Sequence, residues 1–181
     1  MVADNLNQSS LPFSGKIYTV CLGAFIIVLS TTVPYLTLLR DVLFLGIFLA
    51  GAIVLNHSIL RYQVRLTYSD AFFLGSVAGM AGGIVSEGVT FILMELFHYR
   101  PGAESLSLLI GWVVEIAKGK PELHDQVQRL IAEEKLVLAV VKLNFKELLM
   151  NMFLTGAVYA PIAGFGGAYA VLRLKRKAKK S

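Results

Sequence analysis

The chain has 181 residues and a net charge of +5, with 56% hydrophobic residues and only 16% charged ones. A soluble domain carries about 25% charged residues, and one core of this size has no room for so much apolar side chain. Composition therefore excludes an ordinary water-soluble globule and points to lipid as the solvent.

The basic residues gather at the ends of apolar runs and not in a patch with interleaved aromatics, which argues against nucleic acid as a partner. One cysteine, Cys21, leaves no internal disulfide and no C-x-x-C pair. Inside the first apolar run it reads as a small lipid- or core-facing residue.

Residues 1–15 are polar, with Asn, Ser, Pro and Gly, and read as a disordered cytoplasmic arm. They have neither the basic start nor the small-residue cleavage site of a signal peptide. The first span runs from Ile17 to about Val33, with Lys16 before it, Pro34 near its end, and Tyr18 and Tyr35 at the two interfaces. Ser30, Thr31 and Thr32 form a hydroxyl cluster near its far end. They are expected to bond back to helical carbonyls, with a ligand role as the alternative.

Arg40 and Asp41 sit in a short loop before the second span, Val42 to about Leu60, so spans one and two form an antiparallel hairpin. His57 has no second His, Cys or acid at metal spacing, and reads as an interfacial or hydrogen-bonded histidine before a proton relay. A polar connector, Arg61 to Asp70, follows. Ser69-Asp70 is a helix-start signal before Ala71.

The third span, from about Asp70 to Leu96, completes a block of three spans over residues 16–96. Ala71, Gly75, Gly79 and Gly83 fall four apart, and Glu87 continues the stripe one turn later. Small-xxx-small stripes let helices approach closely in lipid, and an acid within a span is a candidate functional residue. Counting along antiparallel neighbours places Ser30, Thr31 and Thr32, and Thr155 or Tyr159 of the last span, at a similar depth. These are its candidate partners. The competing reading is an acid near the outer interface, wetted or protonated there.

Residues 97–147 differ in kind, with seven basic and seven acidic residues. They read as a periplasmic amphipathic helical segment. Leu106–Ala117, with Trp112, is too short to span and fits an interfacial or docked helix. Pro121 opens a helix in which Leu123, Val127, Leu130 and Ile131 make one apolar stripe. Leu136–Val141 is a further short apolar run, read as helix. Asn144 to Glu147 resembles a capping box that starts the last span. That span, from about Leu148 to Leu174, carries Gly156, Ala160, Gly164 and Ala168 four apart, with Pro161 as an expected kink. The two stripes are expected to pack on each other or to face another subunit. The tail, residues 175–181, carries five basic residues and no acid, with Arg173 just before it. Arg173, Lys175, Arg176 and Lys177 read as a topology anchor or as contacts to lipid headgroups.

Lys16, Arg61, Arg65 and the six basic residues from Arg173 onward share one side of this topology, against Asp4 and Asp70. The positive-inside rule puts both termini in the cytoplasm, in the inner membrane of a bacterium. The layout resembles a bacterial family of four-helix membrane proteins of unknown function. Its most specific part is the entry Tyr68-Ser69-Asp70-Ala71-Phe72-Phe73 with Gly75, and the likeness extends from about residue 16 to 180. The resemblance carries over no catalytic residue.

The predicted class is an all-α polytopic membrane protein of four transmembrane helices, with a helical extracytoplasmic insertion between helices three and four. No G-x-S-x-G, H-E-x-x-H or Walker loop is present, so no catalytic, cofactor or metal site is expected. The expected role is a non-enzymatic accessory or scaffolding subunit that associates with another membrane subunit or with itself. A small proton-coupled carrier using Glu87 is the alternative.

Overall fold

A computed structural model describes residues 11–38, 44–118, 126, 128–129, 131–132 and 144–178. Among these residues the fold is all-α. The five principal helices are α1 (Phe13–Thr32), α2 (Leu45–Tyr62), α3 (Tyr68–Phe97), α4 (Ala103–Ala117) and α5 (Phe145–Ala178). Four of them, α1, α2, α3 and α5, are long and apolar enough to cross a membrane, with mean hydropathies of 1.7, 1.4, 1.6 and 1.5. In their most apolar stretches only 28% of residues (39% in α2) are buried within the bundle. Phe25, Phe73, Phe153 and Phe165 all face outward. Such a surface is stable where lipid, not water, covers it.

Helix α3 lies at the centre. Its buried residues are Ala71, Leu74, Gly75, Ala78, Gly79, Gly82, Gly83 and Ser86, all small except one. One small face meets α5 in the most extensive contact of the bundle; the other meets α1. The α1 contacts pair Gly23 with Ala78, Ile27 with Gly82 and Thr31 with Ser86, so these two helices run parallel at a constant offset. The α5 contacts pair Gly83 with Gly156, Gly79 with Tyr159 and Ala71 with Gly167, an antiparallel register. Helix α2 packs parallel to α5, where Gly51 lies on Ala163 and Leu55 on Gly167, and antiparallel to α1, where Thr19 meets Ser58.

Several helix ends differ from the sequence-based expectation. Residues 13–15, expected in the arm, are the first turn of α1: the Pro12 carbonyl accepts from Lys16 N–H at 3.0 Å, and Leu11 is buried against Leu55, Val64 and Val171. Helix α3 starts at Tyr68, two residues before the expected Asp70. Thr67 is its cap, accepting from the Asp70 N–H at 3.1 Å while its hydroxyl donates to the Asp70 carboxylate at 2.6 Å. Helix α5 runs through Pro161 and carries Arg173, Lys175, Arg176 and Lys177 within its last turns, so the basic tail is helical as far as Ala178. At its start, the Asn144 N–H donates to Glu147 Oε2 at 3.0 Å, half of the expected capping box.

Arg40, Asp41 and the first residues expected in span two lie outside the described residues, as do residues 1–10, Pro121, Leu123, Val127, Leu130 and Leu136–Val141. Of the helix expected after Pro121, Gln126, Gln128, Arg129, Ile131 and Ala132 are helical.

Helix α4 stands apart. Gly102, in left-handed backbone at φ 91, turns the chain into it, a conformation that any side chain would strain. Only Ser105 is buried, tied by its hydroxyl to that of Thr37 in the stretch after α1. Leu108, Trp112, Val113 and Ile116 are exposed.

Candidate functional site

Glu87, one of three acids of α3 with Asp70 and Glu95, is met by α5. The Thr155 hydroxyl of α5 donates to Glu87 Oε1 at 3.0 Å, and both side chains are half-buried. One residue earlier on α3, the Ser86 hydroxyl lies 2.6 Å from that of Thr31 on α1. Thr31 also contacts its own helical carbonyls at Ile27 (2.9 Å) and Val28 (3.0 Å). A threonine hydroxyl has one proton, so the consistent assignment has Thr31 donating to a carbonyl and accepting from Ser86. Ser30 donates to the Ile27 carbonyl at 2.8 Å and Thr32 to that of Val28 at 2.7 Å.

The layer Thr31, Ser86, Glu87 and Thr155 is thus continuous in chain terms across α1, α3 and α5. Of the partners expected for Glu87, Thr155 reaches it. Thr31 is bonded to its neighbour Ser86, Ser30 to its own helix, and Tyr159 packs edge-on against Phe44 at 6.3 Å between ring centroids. Glu87 lies ten residues before the end of α3, about 15 Å along the axis, so the layer belongs to the last third of a helix about 45 Å long. An acid there costs less than one at mid-bilayer.

Below that layer the helices close on bare backbone. A Cβ added to Gly79 would stand 2.5 Å from the Tyr159 carbonyl oxygen, and one added to Gly83 would stand 2.8 Å from the Gly156 Cα. Gly75 and Gly164 occupy the same seam. Ala160 and Ala168, expected in the α5 stripe, are half-buried, while Tyr159, Ala163, Gly167 and Ala170 are buried. A strict four-residue step drifts about 40° per step around a helix of 3.6 residues per turn. The contact face corrects this drift with three-residue steps, so it leaves the Ala160 and Ala168 line.

The opposite end of the bundle is basic and aromatic. Arg61 lies over the Tyr18 ring at 4.5 Å, the Tyr18 hydroxyl is 3.4 Å from His57 Nε2, and Lys175 lies over the Tyr68 ring at 4.1 Å. Arg173, Arg176 and Lys177 line a small depression with Tyr169 and Leu172. Between α3 and α4, the Tyr99 hydroxyl donates to Glu104 Oε2 at 3.3 Å. Burial, then the Glu104 charge and this hydrogen bond, push the Tyr99 phenol above its ordinary value.

Ser86, Ser105 with Thr37, and the Arg61–Tyr18 pair were not singled out by sequence reasoning. Ser86 had a signal: Ala78, Gly82 and Ser86 make a second four-residue stripe beside the first. Among the described residues, no group of three His, Cys, Asp or Glu side chains is placed to hold a metal ion. No known protein family, curated protein or solved structure matches the chain.

Proposed function

We propose that this chain is a non-enzymatic accessory or scaffolding subunit of an assembly in a bacterial inner membrane, with both termini cytoplasmic and the segment around α4 periplasmic. It fits the resemblance to bacterial four-helix membrane proteins. The observation that carries the role is α4: an apolar helix of 15 residues, too short to span, with a single buried residue. Its outward Leu108, Trp112, Val113 and Ile116 suit contact with a partner at the membrane surface. The orientation draws support from the gathering of Lys16, Arg61, Arg65 and the α5 basic residues at the end of the bundle away from α4.

Deletion of residues 104–135, followed by native gels of mild-detergent extracts, tests the role. A smaller assembly and lost co-purifying proteins are expected; unchanged size and unchanged companions overturn it. In a Cys21→Ala background, a membrane-impermeant maleimide on spheroplasts should label Ser107→Cys and spare Arg65→Cys. The reverse pattern overturns the orientation.

The half-buried Glu87–Thr155 pair favours a second reading, a small proton-coupled carrier. On that reading Glu87→Gln abolishes a pH-dependent flux in proteoliposomes, and a flux unaffected by this change excludes it.

A further inference from the structure

The basic end of the bundle contains a groove of ≈ 430 Å³ between the α2–α3 connector and the last turns of α5. Its construction follows from the connector's backbone. Gln63 ends α2 in the left-handed region, at φ 52, and the chain then runs without helix to Thr67. An extended chain alternates its side chains, and here Val64 and Leu66 turn inward, 4% and 5% exposed, while Arg65 points out. Val171 and Leu174 of α5 complete an apolar wall. Arg65 and Lys175 stand in the same lining. No ion pair engages either cation among the described residues. Lys175 is held over the Tyr68 ring at 4.1 Å, which fixes the ammonium without neutralising it.

An apolar wall with two uncompensated cations matches an amphiphile with an anionic head. We infer that this groove binds one anionic phospholipid, its phosphate at Arg65 and Lys175 and the start of an acyl chain along Val64, Leu66, Val171 and Leu174. The bilayer around four membrane-length helices supplies such a molecule at high local concentration, and charge complementarity selects it over zwitterionic lipid. The inference rests on the four apolar helices and stands independently of the accessory-subunit role. It separates Arg65 and Lys175 from Arg173 and Arg176, which line the smaller depression.

Native mass spectrometry of the full chain in mild detergent tests it, with added dioleoylphosphatidylglycerol, dioleoylphosphatidylcholine or inorganic phosphate. One phosphatidylglycerol should be retained in preference to phosphatidylcholine. Arg65→Gln with Lys175→Gln should weaken that retention about tenfold or more, since one charge-assisted contact of about 1.5 kcal/mol corresponds to roughly a factor of ten. The matched control, Arg173→Gln with Arg176→Gln, removes the same charge outside the groove and should leave retention within about threefold. Unfolding temperatures of both variants check that the fold persists. Should Arg65→Gln with Lys175→Gln unfold the chain, Leu174→Trp, which fills the wall and keeps both cations, replaces it and should also reduce retention. Equal binding of the two lipids, equal loss in the control, or displacement of phosphatidylglycerol by millimolar inorganic phosphate would overturn the inference; the last would mean that the site reads free phosphate.

Discussion

Helices α3 and α4 are both strongly apolar, yet one is the central axis of the bundle with eight buried residues and the other has a single buried residue. The difference is side-chain size. Helix α3 presents Gly, Ala and Ser on two faces, so the backbones of α5 and α1 close onto it and dispersion contacts accumulate along the whole seam. Helix α4 presents Leu, Ile, Val and Trp, and among the described residues its side-chain ties are the Ser105–Thr37 and Glu104–Tyr99 contacts. In lipid, apolar side chains gain little by leaving the solvent for a neighbouring helix, so hydrophobicity does not decide which helices associate. Close approach does.

The strongest way to break this contrast is to give α3 a large side chain. Gly79→Leu drives carbon into the Tyr159 carbonyl and the Ala163 methyl, and overpacking of this kind costs about 1–3 kcal/mol or more. A large drop in unfolding temperature in detergent is expected, with Gly111→Leu on α4, which meets nothing within 4 Å, as the silent counterpart. A smaller loss comes from removing a cross-helix hydroxyl. Thr31→Val keeps the shape, strips the partner from Ser86 and should cost about 0.6 kcal/mol, the average for such bonds in membrane bundles. Chemical unfolding of the purified protein measures it.

Smaller again, Trp112→Ser and Ile116→Ser should change bundle stability by less than about 0.5 kcal/mol, because both side chains are exposed. The same substitutions should alter the assembly seen on native gels. A destabilisation equal to that of Gly79→Leu would mean that α4 is packed after all. The least effect belongs to the turn between the two helices. Tyr99 is held neutral in the fold, with its pKa raised above the ordinary 10.0. Its stabilising contribution is therefore complete below pH 10 and lost as pH rises through the raised value, so a pH titration of stability should separate wild type from Tyr99→Phe only in strong alkali.

Much of the bundle was legible in the chain because lipid imposes long apolar runs, and their number, order and approximate ends survive as hydropathy alone. The Gly75, Gly79 and Gly83 stripe was legible for the same reason: small residues four apart share a helix face. The matching face of α5 was only half legible. Gly156 and Gly164 lie on it, whereas Ala160 and Ala168 fall to its side, since a fixed step of four drifts around a real helix and the partner's curvature sets where three-residue corrections enter. Thr155 was a named partner for Glu87, but the choice among Ser30, Thr31, Thr155 and Tyr159 depends on helix rotation, which local pattern does not encode.

The order of residues along the chain determined the helical class, the four membrane-length apolar runs and the place of the basic residues at their ends, because each is read from local runs of side chains. Tertiary structure alone decided which small face meets which neighbour, that Arg65 and Lys175 share an apolar groove, and that α4 is left outside the bundle. Those outcomes depend on distances between residues far apart in the chain, 110 positions for Arg65 and Lys175. They follow from how closely two backbones can approach, a quantity that exists only once both helices are in place.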